Sequence, residues 1–175
     1  RGLGDVYKRQ ISFHGKFSKN ISSNNTVTNL LKILDKRKLL KNKKFKISIK
    51  KQIPSKAGLG GGSMNSASIL RFLVKKKIIK VNKKELFKIA KLVGSDVVFG
   101  LNPTNSILTS KNKVKYFNKS EKFHILAIKP NFGCSTKEIY SKVKNFERPK
   151  LNRPNKNIFN LDYLKKMNNN LELIV

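Results

Sequence analysis

Acidic side chains are the scarcest feature of this chain: nine Asp and Glu stand against forty Lys and Arg in 175 residues, a formal net charge of +31. A field of that sign attracts polyanions, but it does not specify a fold. The lysines are scattered along the whole chain among asparagines and isoleucines, with no aromatic signature of the kind that stacks successive bases. A solvated lysine coat that also draws in anionic small molecules accounts for the composition without a nucleic-acid role. Cysteine is nearly absent as well. The single Cys134 excludes an internal disulfide and a cysteine metal cluster, and it suits a reducing compartment. No histidine lies near it in sequence, so it reads as a small packing residue, not a nucleophile. No apolar run approaches the roughly 20 residues of a membrane helix. No secretory pattern opens the chain, and a cytoplasmic, bacterial setting is the expectation.

What is present suffices for a globular core: 38% hydrophobic and 9% aromatic residues, with length for one domain and part of another. Residues 1–10 differ in composition from the rest, with neither Asn nor Ile. They read as a non-native scar, and the natural N-terminal segment is expected to be missing.

The chain is organised around Ile53-Pro54-Ser55-Lys56-Ala57-Gly58-Leu59-Gly60-Gly61-Gly62-Ser63-Met64-Asn65, with four glycines in the five positions 58–62. Before it, Phe45 to Lys50 alternates with period two, which predicts a half-buried strand. After it, Met64, Ala67, Leu70 and Leu73 recur at helical spacing, which predicts a helix over 63–75. A helix start carries unpaired N–H groups and a partial positive charge. Glycines before it permit positive φ and let an anion approach without a Cβ in the way. Strand, glycines and helix together make a phosphate cradle; a flexible hinge or tight turn is the plainer alternative. The loop lacks the Gly-Lys-Ser/Thr ending of a Walker loop and the final glycine of the dinucleotide fingerprint.

Further elements follow from the same patterns. Ile11 to Phe17 is a candidate strand, and its lone His14 reads as structural. Asn24-Asn25-Thr26 caps a helix predicted to reach Leu40, with Val27, Leu30, Leu31 and Leu34 on one face. Asn82 caps another, with Glu85 three residues on. Gly94 ends that helix, where a left-handed C-terminal cap is expected. Asp96 follows, between Ser95 and apolar residues, as either a turn aspartate or a functional one. Strands are predicted over 106–110, 114–117 and 123–128, then a helix from Gly133 to about Lys144, a proline-containing loop, and a last helix from Leu161.

The loop spelling resembles that of the GHMP kinases, and so does Gly94-Ser95-Asp96-Val97-Val98-Phe99. The resemblance runs from about Asn24 to the end of the chain. It implies an α/β (α+β) fold with a mixed sheet and helices on one side. It places an ATP-binding N-terminal domain at 11–121 and the start of a truncated α+β C-terminal domain at 122–175. It also implies ATP as phosphoryl donor with Mg2+, the phosphates resting on Pro54, Ala57, Gly58, Leu59, Gly60, Gly61, Gly62, Ser63 and Asn65. Ser63 would be a contact for the metal. Asn29 and Leu30 would border the adenine, and Asp96 would be the catalytic base. Tyr140 would stack on the cytosine of the substrate, a cytidine diphosphate-linked methylerythritol phosphorylated on its 2-hydroxyl for isoprenoid synthesis. A packing tyrosine is the alternative at 140. Met64 and Ser66 depart from the family's helix start, and Val98 stands where a proline is usual. The family's lysine-bearing N-terminal segment and its C-terminal glycine loop do not occur here, so the 175-residue chain is expected to have little or no activity. A basic RNA-binding module of the same architecture, or a GHMP kinase for another small alcohol, is the competing reading.

Overall fold

Parallel pairing of two short strands opens the architecture. In the computed structural model, which describes residues 10–55, 57–111, 113–118, 124, 126, 128, 136–145, 148, 153–168 and 171–172, β1 (Gln10–His14) runs beside β2 (Lys46–Lys50) in register from Gln10↔Lys46 to His14↔Lys50. Alternation decides the faces. Ser12, His14, Lys46, Ser48 and Lys50 are exposed, while Ile11, Phe13, Ile47 and Ile49 turn inward. β1 stops at Gly15, whose φ of 97° and close approach to the Lys51 carbonyl leave no room for a side chain.

The crossover between these strands is α1 (Thr26–Lys36). Its start is a reciprocal capping box: the Asn25 side chain accepts from the N–H groups of Val27 and Thr28, and the Thr28 hydroxyl accepts from the Asn25 N–H. Val27, Leu30, Leu31 and Leu34 form the buried stripe. The helix ends before the expected Leu40 because Lys38 turns left-handed, with φ 56°. There the Leu39 N–H reaches the Leu34 carbonyl and the Lys38 N–H the Asp35 carbonyl, a Schellman closure. Leu40 then folds back, fully buried.

α2 (Gly61–Lys75) and α3 (Lys83–Val93) complete the helical layer, and α2 also ends in a Schellman turn, at Lys77. Asn82 caps α3 through the Glu85 N–H, and Arg37 at the end of α1 pairs with the Glu85 carboxylate at 3.3 Å. Gly94 is not the left-handed cap expected: its φ is 171°, an extended conformation. The chain leaves α3 straight into a 3-10 turn, Ser95–Leu101, that buries Val97 and Val98. Gly100 of that turn lies on α2, where a Cβ would overlap Ala67 and stand 3.1 Å from the Met64 sulfur.

The chain divides into two compact units, one of Arg1–Ser55 with Leu59–Leu101 and one of Lys56–Gly58 with Asn102–Val175. The second holds an antiparallel hairpin, β3 (Asn105–Leu108) with β4 (Val114–Phe117). It also holds α4 (Thr136–Ser141), a 3-10 turn over Lys156–Phe159, and α5 (Leu161–Lys165), which Asn160 caps. The α/β class is as expected, but the described residues form two separate two-stranded sheets, one parallel and one antiparallel, in place of one mixed sheet. The hairpin groups with the later residues in this division. Most of the strand expected over 123–128, together with residues 1–9, Cys134 and Lys56, lies outside the described residues.

Candidate active site

The start of α2 is built without a cap. Gly60 is its N-cap residue in the left-handed region, φ 62° and ψ 14°, with no side chain bonding the first turn. Nothing lies within 4 Å of where a Cβ on Gly60 would stand, so the backbone angle, not crowding, calls for glycine. Gly58 is also left-handed, with φ 69°. The helix begins two residues earlier than the apolar spacing predicts. Gly61, Gly62 and Ser63 therefore supply the first-turn N–H groups, and Ser63 is the third helical residue, not the cap. The first backbone bond of the helix runs from the Met64 N–H to the Gly60 carbonyl, 3.0 Å. No acidic side chain lies in the first turn, so its partial positive charge is left for an external anion.

Within the first unit that turn meets the Ile53 side chain, 3.4 Å from the position of a Cβ on Gly61, and three further neighbours. The Thr26 hydroxyl donates to the Gly62 carbonyl at 2.8 Å. The Lys51 ammonium lies 3.6 Å from the position of a Cβ on Gly61, and Lys51 is only 7% exposed. A cation this buried beside a helix N-terminus adds to the attraction for phosphate. Lys51 was not singled out from the sequence, yet the alternation that turns Ile47 and Ile49 inward, carried one step further, reaches it. The third neighbour is the segment after α3: a Cβ on Gly94 would stand 4.0 Å from the Ser63 hydroxyl.

Asp96 is thus two residues from a backbone position near the first turn of α2. It is exposed, and the Ser95 hydroxyl donates to its Oδ1 at 3.1 Å. The buried Val97 and Val98 fix the turn that carries it. Met64, which replaces a hydroxyl in the resembling loop, packs its sulfur toward Gly100 and away from any phosphate role. Asn65 is half-buried in the first turns of α2, and Pro54 and Ala57 are half-buried in the loop, while Leu59 is 55% exposed.

Asn29 is half-buried on α1, but Leu30 is wholly buried in the core. The α1 side chain that reaches the cradle is Thr26. Tyr140 sits on α4 in the second unit with 56% of its surface exposed. His14 lies on the outer sheet face, its Nδ1 3.3 Å from the Ser48 hydroxyl. Among the described residues no group of three or more His, Cys, Asp or Glu side chains gathers to hold a metal. No helix among the described residues is long and apolar enough to cross a membrane.

Known proteins resemble this part of the chain. Residues 25–104 match the GHMP kinases N terminal domain. The 4-diphosphocytidyl-2-C-methyl-D-erythritol kinase of Pelagibacter ubique is 53% identical over 167 residues, 95% of this chain and 59% of the relative. The kinase of the same name from Fusobacterium nucleatum is 44% identical over 109 residues, 61% of this chain and 37% of the relative. That of Petrotoga mobilis is 34% identical over 125 residues, covering 71% and 48%. The chain thus spans less than two thirds of the length of these relatives. Over residues 25–104, which hold the uncapped glycine helix start and the turn that bears Asp96, the chain is similar to the GHMP kinases.

Proposed function

We propose that the protein transfers the γ-phosphoryl group of ATP to the 2-hydroxyl of 4-diphosphocytidyl-2-C-methyl-D-erythritol, a step of non-mevalonate isoprenoid precursor synthesis in a bacterial cytoplasm. One observation carries the reading: the bare N–H groups of Gly61, Gly62 and Ser63 share a corner of the fold with the segment that bears Asp96.

The loop from Pro54 to Asn65 receives the triphosphate, its amides and the Lys51 ammonium taking the negative charge. Ser63 would hold magnesium, and the metal, when bound, would supply charge neutralisation at the phosphates. Asp96 accepts the hydroxyl proton as that oxygen bonds to the γ-phosphorus. The bond from phosphorus to the β,γ-bridging oxygen breaks, and ADP leaves. A positioned base contributes about 10²–10⁴ in rate, and alignment supplies much of the rest. Asn29 is assigned to the adenine side, with the buried Leu30 packed behind it, and Tyr140 to the cytosine, where stacking contributes about 1–3 kcal/mol.

The chain spans 59% of the Pelagibacter relative. The test is a chimera in which residues 11–175 replace the matching part of that relative. It should convert ATP and the cytidyl substrate to ADP and the phosphorylated product. Asp96→Asn should lower kcat by about 10²–10⁴ while ATP affinity stays within about threefold. A chimera that folds but transfers nothing, or an Asp96→Asn chimera at full rate, overturns the proposal.

A further inference from the structure

We infer that Thr26 is a positioning residue for the anion-binding turn, a role that rests on the phosphate cradle proposed above. Its hydroxyl donates to the Gly62 carbonyl at 2.8 Å, across 36 positions of sequence. The contact is tight on both sides. A Cβ on Gly62 would stand 3.1 Å from the Thr26 hydroxyl oxygen and 3.8 Å from its methyl, so glycine at 62 lets the two helix starts meet.

The physical consequence follows from how α2 begins. Gly60 is left-handed, Gly61 and Gly62 are the most flexible residues a helix can start with, and no side chain caps the turn. A turn so composed frays by itself, because its first residues gain no backbone bond for the entropy they lose. Thr26 stands on the first residue of α1, whose own start is locked by the Asn25–Thr28 capping box. Bonding the Gly62 carbonyl to that fixed point holds the peptide planes of the turn, and with them the N–H groups that must converge on phosphate. Thr26 need not touch the nucleotide. It reduces the ordering that binding would otherwise require.

The experiment compares wild-type chain with Thr26→Val and Thr26→Ser. Binding of a fluorescent ATP analogue with Mg2+ is titrated, melting is followed without nucleotide, and amide exchange is measured for residues 62–66. Loss of one intramolecular hydrogen bond predicts about three- to tenfold weaker nucleotide binding in Thr26→Val, and Thr26→Ser should restore it to within about twofold. Exchange in the first turn of α2 should quicken in Thr26→Val alone. The inference is overturned if Thr26→Val binds like wild type with unchanged exchange. It is equally overturned if Val and Ser weaken binding alike, or if the loss merely tracks a lower melting temperature. A wild-type chain that binds no nucleotide sinks the cradle itself, and the exchange data then still decide whether Thr26 holds the turn.

Discussion

The hydroxyl of Thr26 occupies the carbonyl of Gly62, four residues before Ser66, and the hydroxyl of Ser66 is fully buried with no partner. A helical serine ordinarily back-bonds to the carbonyl four residues earlier. Here that acceptor is taken from outside the helix. An unpaired buried hydroxyl costs about 1–3 kcal/mol. Ser66→Ala should therefore stabilise the first unit by about 1 kcal/mol, raising its melting temperature by about 2–4 °C. The gain should shrink in a Thr26→Val background, where Ser66 can reach the freed carbonyl. A melting series of the two single variants and the double variant reads the coupling directly.

Of the first unit's helices α1, α2 and α3, the first two end with a lysine where glycine is favoured. Lys38 has φ 56° and Lys77 φ 53°, each at the left-handed position of a Schellman turn. A left-handed non-glycine residue costs about 1–2 kcal/mol, partly offset by its lower entropy in the unfolded chain. Lys38→Gly and Lys77→Gly should each stabilise by about 0.5–1 kcal/mol, adding nearly independently. Chemical denaturation with an unchanged slope and a higher midpoint is the expected reading.

Two glycines of the site region are required for different reasons, and alanine separates them. At Gly60 space is open and φ is 62°. Gly60→Ala should cost about 1 kcal/mol of backbone strain and chiefly disturb ATP binding. Gly100 meets the Ala67 side chain and the Met64 sulfur. Gly100→Ala should destabilise by about 1–3 kcal/mol through overpacking, and Met64→Ala should relieve part of that. Equal losses of stability at the two positions would contradict this division.

The sequence carried the site's frame because glycine, helix periodicity and capping are local effects. The glycine helix start and the existence of α1, α2 and α3 were legible in spacing and composition. What was not legible came from tertiary packing. The helical spacing that marks Leu30 as apolar also sends it wholly into the core, where only Asn29 of that pair keeps any exposure. Gly94 could be read as a left-handed cap because glycine permits one, but the packing of Val97 and Val98 draws the chain on extended. Thr26 looked like part of a cap, and its hydroxyl is claimed by a carbonyl distant in sequence.

Lys51 gives the sharpest contrast between stability and binding. Residues 36–84 contain seventeen Lys and Arg and no Asp or Glu, so nothing within that span can neutralise the buried ammonium. It faces the positive end of α2 near Gly61, an arrangement that an anion would relieve. Lys51→Met keeps the stem's volume and removes the charge. The nucleotide-free chain should then be as stable as wild type or more so, by up to about 1 kcal/mol, since a charge facing the positive end of α2 is lost. ATP affinity should fall by about tenfold or more, as expected for a charge-assisted phosphate contact, and the salt dependence of binding should flatten. Melting with and without ATP, at low and at physiological salt, separates the two effects. A variant that loses stability and keeps its ATP affinity would make Lys51 a packing residue and leave the cradle's charge to the helix alone.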